Sequence, residues 1–299
     1  MQTKETIKLQ DTSADVGANS RLESYWKAAG YRDFFNDFRN GKPLPVKFKT
    51  TDRLAEIIKL YHLKSVGFGN WVTQEDRFNY IMAMFTSFYD IDKVLQFKKN
   101  IGLNNRVSFS FGARGRGKAL AHFEPWTFII NITRYKDNPE FDKKQRFAYS
   151  GGAGSVAHEY GHALDFYFGM YKDQSLVYAS LSGDTSIKLS LDEPDIGPLR
   201  RAMADVMDAI IWKEKGRKMS PYYIRLKTYF NTPYMLSRCE IFARAFEKYI
   251  QYKLKKQGIK NIFLTDPKYS PTAYLTDNEM ITIAPLMDRL IKGMRELLS

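Results

Sequence analysis

Two histidines spaced four residues apart constrain the possible fold and function of this chain most. They are the first and last residues of the stretch His158-Glu159-Tyr160-Gly161-His162. Residues at this spacing lie one above the other on one face of an α-helix, so both imidazoles can reach a single metal ion while Glu159 projects beside them as a base. The neighbouring residues favour such a helix, because Gly151 to Gly154 predicts a turn, Ser155 suits the N-cap and Gly169 suits the C-cap. The stretch therefore predicts a metal-binding helix.

Two histidines leave a zinc ion short of a ligand, because catalytic zinc sites usually have three protein ligands and one open position. The remaining histidines, His62 and His122, lie upstream, and His62 is best explained as a structural residue at a helix end. We therefore expect a carboxylate from a downstream helix to complete a His₂Glu zinc site. Glu240 is the favoured ligand, with Glu247 as the alternative; Glu240 could instead be a surface carboxylate paired with Arg244.

The helix that carries Glu240 shows two distinct faces. Ile241, Phe242, Ala245 and Phe246 form its buried side, whereas Ala243 shares a face with Glu240 and is small enough for a second helix to approach closely. Asp165 follows His162 by three residues and could accept the free N–H of a ligating histidine, or could instead be solvated or ion-paired.

The hydrophobic periodicity predicts an α+β fold that is mainly helical. A period of two over Val107 to Phe111 and a second apolar run over Phe128 to Ile132 predict strands, with a further strand in Ala119 to Phe123. We expect a small antiparallel sheet directly before the metal helix. The glycine-rich segment between these strands, Gly112 to Lys118, favours a hairpin rim beside a cleft over a phosphate-binding loop, because strand pattern follows the glycines.

Helical periodicity or helix-start signals mark seven further segments. They cover residues 21–30, 32–39, 51–61, 73–97, 192–212, 237–249 and 277–298.

The composition favours a folded, soluble protein of the cytosol. The net charge of +13 permits loose electrostatic association with nucleic acid, but no nucleic-acid-binding motif accompanies the scattered basic residues. The single cysteine, Cys239, excludes an internal disulfide. No apolar run approaches the roughly 18 residues of a membrane span, and the first residues lack a secretory core, so we expect no membrane partner.

Several motifs in order resemble a known family, the first large polyvalent protein-associated domain of phage, plasmid and conjugative-element proteins. The motifs are Gly67 to Val72, Phe111 to Gly117, Ala121 to Pro125, Ile130 to Thr133, Gly152 to Asp165 and Glu240 to Glu247. They span roughly residues 65 to 250. The last two motifs also resemble, more distantly, the metallopeptidase domain of anthrax lethal factor.

The resemblance implies a zincin-like fold with His158, His162 and Glu240 as zinc ligands and Glu159 as base. It also implies Tyr234 as the tyrosine that stabilises an oxyanion, with Tyr229 and Tyr222 as the nearest alternatives. We accordingly divide the chain into an N-terminal helical region, residues 1–64, which packs on the core, and a zincin-like metallopeptidase domain, residues 65–299.

These inferences lead to one main functional hypothesis and one alternative. The main hypothesis is a zinc-dependent endopeptidase of a phage or mobile element, acting on protein or peptide in the bacterial cytoplasm or carried in the virion. The alternative is a catalytically silent, zinc-stabilised binding or structural protein, associated with DNA or docked on a partner.

Overall fold

Helices and a small sheet form an α+β architecture in the computed structural model, as predicted. The structure describes residues 39–41, 53–70, 72–113, 121–132, 154–173, 179–183, 197–214, 216–265 and 269–298. The helices are α1 (Arg53–Leu60), α2 (Gln74–Leu95), α3 (Val156–Tyr171), α4 (Pro198–Ile211), α5 (Pro221–Tyr229), α6 (Pro233–Leu236), α7 (Arg238–Lys256) and α8 (Asp277–Leu298). The strands are β1 (Arg39–Asn40), β2 (Ser65–Phe68), β3 (Ser108–Phe111), β4 (Ala121–Glu124), β5 (Ile129–Ile132), β6 (Trp212–Lys213), β7 (Lys218–Met219) and β8 (Lys260–Asn261).

Some predicted elements lie outside the described residues. These are the helix over 21–30, the helix over 32–38, the turn at 151–153, the helix start at 192–195 and most of the glycine-rich segment, residues 114–118. Arg39, predicted as the last residue of a helix, instead lies in β1, which pairs antiparallel with β8.

The main sheet is mixed, so the prediction of an antiparallel sheet was wrong. Its strand order is β2-β3-β5-β4; β2 and β5 both run parallel to β3, and only β4 runs antiparallel to its neighbour β5. Parallel strands need a long crossover connection, and the 22-residue helix α2 provides it between β2 and β3. β2 was not predicted, because its four residues contain a glycine and show no alternation.

Local sequence signals predicted two helix starts correctly and one helix end wrongly. The Thr73 side chain accepts a hydrogen bond from the Asp76 N–H at 3.2 Å, which begins α2. Helix α3 has Ser155 at its N-cap but continues past Gly169 to Tyr171, so the predicted C-cap was wrong. Gly169 serves close packing instead, because a Cβ on Gly169 would lie 2.5 Å from the Ala179 carbonyl oxygen.

Helix α7 lies at the centre of the fold and is buried on every side over its first turns. It packs mainly against α3, and also contacts α2, α4 and α8. Leu54, Ile57 and Tyr61 from the α1 region belong to the same hydrophobic core as these helices. The division of the chain at residue 64 stays a prediction.

The start of α3 is held by backbone hydrogen bonds to a distant segment. The N–H groups of Gly154 and Ala157 donate to the carbonyl oxygens of Phe263 and Leu264, each at 3.0 Å. The Asn261 side chain accepts from the backbone N–H groups of both of these residues, at 3.2 and 3.0 Å.

Asp90 of α2 anchors Asn261 in turn. Its carboxylate accepts from Asn261 Nδ2 at 2.9 Å and from two nitrogens of Arg39 at 2.9 and 2.8 Å. Hydrogen bonds from Arg39, early in the chain, and Asn261, late in the chain, therefore help to fix the start of α3.

Among the described residues, no helix has the length and apolar character that a membrane span requires.

Candidate metal centre

Helices α3 and α7 bring His158, His162 and Glu240 together, as the sequence predicted. The Nε2 atom of His158 lies 3.5 Å from Glu240 Oε2, and the Nε2 atom of His162 lies 3.2 Å from Glu240 Oε1. One ligand atom from each residue lies within 4.8 Å of the others. Among the described residues, no other group of His, Cys, Asp and Glu side chains converges in this way.

The donor set fits a zinc ion. Two ligands at 2.0–2.1 Å from zinc in a tetrahedral arrangement are about 3.3 Å apart, close to both nitrogen–oxygen distances here. Two imidazoles and one carboxylate are also a common set of protein ligands in catalytic zinc sites. His162 and Glu240 are buried and His158 is half-buried, and one ligand atom from each lies within 4.8 Å of the others, close enough for the three to share one ion.

Charge at this site favours a bound cation. Burial opposes a charge on His158, but the carboxylates of Glu240 and Glu247 outweigh it and raise the pKa of His158 to about 10. Burial would raise the pKa of Glu240, yet hydrogen bonds to His158 and His162 hold it far below its usual range. The pocket thus keeps a positive charge between its carboxylates, a charge that a metal ion would supply in place of the proton.

Glu247, the alternative ligand, approaches His158 from the opposite side. Its Oε2 atom lies 3.5 Å from His158 Nδ1, the nitrogen that points away from Glu240. The hydroxyls of Tyr269 and Tyr274 donate to the two Glu247 oxygens at 2.7 and 2.9 Å. This is the position from which a carboxylate orients a ligating histidine, although at 3.5 Å the Glu247 carboxylate makes no hydrogen bond to Nδ1 here. The sequence contained one signal for this role, the seven-residue spacing from Glu240, but none for the two tyrosines.

Asp165 has a different role from the one predicted. It is fully buried, and its two oxygens accept from the N–H and the hydroxyl of Ser182 at 2.7 and 2.6 Å. Burial raises the pKa of Asp165, and the bonds to Ser182 oppose that rise. The carboxylate is therefore neither solvated nor placed as the nearest partner of a histidine nitrogen.

Glu159 lies beside the histidines, where burial raises the pKa of its carboxyl. Attraction by His158 and His162 opposes the rise, and repulsion by Glu240 adds to it. His122, on strand β4, is close enough to act electrostatically on Glu159. The structure therefore brings His122 towards the site, whereas His62 lies exposed in the turn after α1.

Tyr234 reaches the site from the short helix α6. Its side chain is 65% exposed, and partial burial together with the nearby carboxylates of Glu240 and Glu159 raises the pKa of its phenol. The hydroxyl therefore stays protonated and able to donate a hydrogen bond. Of the two alternatives, Tyr222 is buried and donates to the Ala273 carbonyl at 3.3 Å, whereas Tyr229 is exposed at the end of α5.

Arg244 links Tyr234's helix to Glu240. Its guanidinium donates to Glu240 Oε2 at 3.3 Å and to the Met235 carbonyl. The predicted pairing of Glu240 with Arg244 thus exists, but both side chains are buried, so Glu240 is not a surface carboxylate.

One family model matches part of the chain. Residues 226–298 match the family model of large polyvalent protein-associated domain 1. This range contains Tyr234, Glu240 and helices α6, α7 and α8, but not helix α3. Of the motifs that suggested the family, it contains only Glu240 to Glu247. Searches of curated proteins and of solved structures found no match. The similarity to large polyvalent protein-associated domain 1 thus covers the C-terminal part of the chain, from residue 226 to residue 298.

Proposed function

We propose that this protein is a zinc-dependent endopeptidase of the His₂Glu type with a zincin-like arrangement of its site. The observation that carries the proposal is the convergence of both histidine Nε2 atoms on the Glu240 carboxylate, at 3.5 and 3.2 Å, with Glu159 buried beside them. The family match supports an association with a phage or another mobile element.

Glu159 is the proposed general base. When bound, zinc would acidify a water molecule and polarise the carbonyl of a peptide bond. Glu159 would accept the proton of the attacking water and pass it to the leaving amine. Burial raises the pKa of Glu159, which suits a group that must take up and release a proton near neutral pH.

Tyr234 is the proposed oxyanion donor. Its phenol remains protonated beside Glu240 and Glu159 and stays largely exposed, so it can donate to a substrate oxygen. A donor aimed at developing charge lowers the barrier to carbonyl addition.

Strand β4 is the proposed support for the substrate. Among the described residues it is an edge strand of the main sheet, and it packs against α3, the helix that carries the histidines. An extended peptide could add to this edge as a further strand, with its backbone bound by hydrogen bonds.

The substitution Glu159→Gln tests the proposal. It removes the base but keeps the size of the side chain, so we expect the variant to retain zinc and to lose cleavage of a peptide library. Cleavage at the wild-type rate by the variant would contradict the proposed mechanism. A wild-type protein that binds zinc tightly but cleaves nothing would support the alternative, a zinc-stabilised binding or structural protein.

A further inference from the structure

Ser182 uses every hydrogen-bonding group that it has, and each of its partners is an ionisable side chain. Its backbone N–H and its hydroxyl donate to the two carboxylate oxygens of Asp165, at 2.7 and 2.6 Å. Its carbonyl oxygen accepts from Arg238 Nε at 2.5 Å. Ser182 is fully buried, so water does not compete for these bonds.

The two partners of Ser182 lie on the two helices that carry the candidate metal ligands. Asp165 follows His162 by three residues on α3, and Arg238 is the first residue of α7, two residues before Glu240. Ser182 therefore connects α3, which carries both imidazoles, to α7, which carries the carboxylate.

The short segment around Ser182 is itself held firmly. The Leu181 N–H donates to the Asp165 carbonyl oxygen at 2.9 Å, and Arg200 of α4 donates to the carbonyl oxygens of Ser180 and Leu181 at 3.4 and 3.2 Å. Arg200 is also paired with Asp173, just beyond α3. A segment anchored in this way can hold two helices at a fixed distance from each other.

Within α7, Glu240 is held by Arg244, which lies on the same helix. A bond within one helix fixes the rotamer of Glu240 but not the position of that helix relative to α3. The contact of Gly161 with Ala243 fixes the separation of the helices further along, since a Cβ on Gly161 would lie 3.1 Å from Ala243 Cα. Ser182 supplies a second point of attachment at the start of α7, close to Glu240.

We propose that Ser182 is a positioning residue of the metal centre, which holds the start of α7 against α3 so that Glu240 reaches the nitrogens of both His158 and His162. This inference rests on the proposed metal site. Loss of the Ser182 hydroxyl leaves one buried oxygen of Asp165 without that partner and loosens the attachment of Arg238 to α3.

The test compares Ser182→Ala with Ser180→Ala in the full chain. Ser180 is the matched control, because it lies in the same segment, is buried, and has a hydroxyl without a hydrogen-bond partner among the described residues. We expect Ser182→Ala to weaken binding of Zn²⁺ and Co²⁺ by about 10- to 100-fold, measured by competition with a chelator. We also expect a change in the visible absorption spectrum of bound Co²⁺, whereas Ser180→Ala keeps wild-type affinity and spectrum.

A second variant, Arg238→Gln, removes the guanidinium that donates to the Ser182 carbonyl oxygen. Arg238 is half-buried, so this variant keeps the test informative if Ser182→Ala folds poorly. If both residues act through one connection, the double variant loses little more affinity than the single variant that binds metal less tightly. Additive losses in the double variant would overturn the proposal, and so would a lower melting temperature with unchanged metal affinity. If the wild-type protein itself bound no stoichiometric metal, the proposed metal site would fail, which is a different outcome from failure of Ser182 alone.

Discussion

Gly161 of the metal helix lies directly against Ala243 of the helix that carries Glu240. A Cβ on Gly161 would lie 3.1 Å from Ala243 Cα and 3.2 Å from a ring carbon of Phe246. The two helices that carry the candidate ligands approach closely at this point, where Gly161 faces the backbone of Ala243 and the side chain of Phe246. This close approach brings Glu240 within reach of the histidines.

Replacing Gly161 with valine should force the helices apart. Overpacking of a close contact costs about 1–3 kcal/mol, and here the nearest atom is backbone, which cannot rotate away. We expect a lower free energy of unfolding, measured by urea denaturation, together with weaker zinc binding. The control is Gly67→Ala in β2, where an added Cβ would meet only Ser110 Oγ, at 3.7 Å. Unchanged stability and zinc affinity in Gly161→Val would show that the crossing tolerates a larger separation.

Glu240→Gln, compared with Glu247→Gln, should show which of the two carboxylates binds the metal. An amide keeps the shape of Glu240 but lacks the charge, so we expect zinc affinity to fall by more than about 100-fold, the upper end of the loss seen for residues outside the ligand set. Glu247→Gln, which acts on the far nitrogen of His158 and on the hydroxyls of Tyr269 and Tyr274, should lower affinity by about 10- to 100-fold. Elemental analysis and chelator competition measure both. The reverse order of losses would make Glu247 the ligand.

Tyr234→Phe should lower turnover without changing the fold. Loss of one oxyanion donor typically reduces kcat by about 10²–10³, and the exposed ring of Tyr234 has little packing to lose. We expect KM and zinc content to stay close to those of the wild type. Tyr229→Phe is the control, because Tyr229 is similarly exposed and lies in the same part of the chain. An equal loss of kcat in the two variants would remove Tyr234 from its proposed role.

Asp277 should make stability depend on pH at the acid end. Lys248 and Lys255, each 2.7 Å away, lower the pKa of Asp277 from 3.8 to about 2. The stabilisation is therefore present above pH 3.8 and is lost as the pH falls through about 2. Asp277→Asn should lower stability at pH 7 by less than about 1 kcal/mol, because the Asp277 side chain is 46% exposed and solvent screens its ion pairs.

This difference between wild type and Asp277→Asn should vanish near pH 2, which chemical denaturation at several pH values measures. Glu214→Gln, at an exposed pair with Lys218, serves as the control and should have little effect at any pH. A difference that persists unchanged at pH 2 would mean that the ion pairs are not its source.

Strong local patterns in the sequence were sufficient to place several elements. The amphipathic stripe of α8 predicted its bounds, Asp277 and Leu298, and the hydroxyl of Thr73 predicted the start of α2. His158 and His162 also followed from local spacing alone, because a single helix carries both. Glu240 required a further step, the shortage of other histidines.

Features that depend on distant pairing were not accessible in this way. The parallel pairing of β2 and β5 with β3 depends on where the chain returns after α2 and β4, and no local residue pattern encodes that return. The contacts of Glu247 with Tyr269 and Tyr274 arise from a loop that folds back over α7. Ser182 lies in a stretch without periodicity, so its bonds to Asp165 and Arg238 had no signal in the sequence.

The backbone hydrogen bonds from Gly154 and Ala157 to Phe263 and Leu264 also have a consequence for the order of folding. A ribosome makes the chain from its N-terminus, so the histidines emerge long before the segment that fixes the start of their helix. Contacts between residues so far apart in sequence form late, because closing a long loop costs entropy before the contact stabilises it. A nascent chain that ends before residue 263 therefore carries both histidines without the backbone partners of their helix, and the candidate metal site takes its final shape only after that segment has been made.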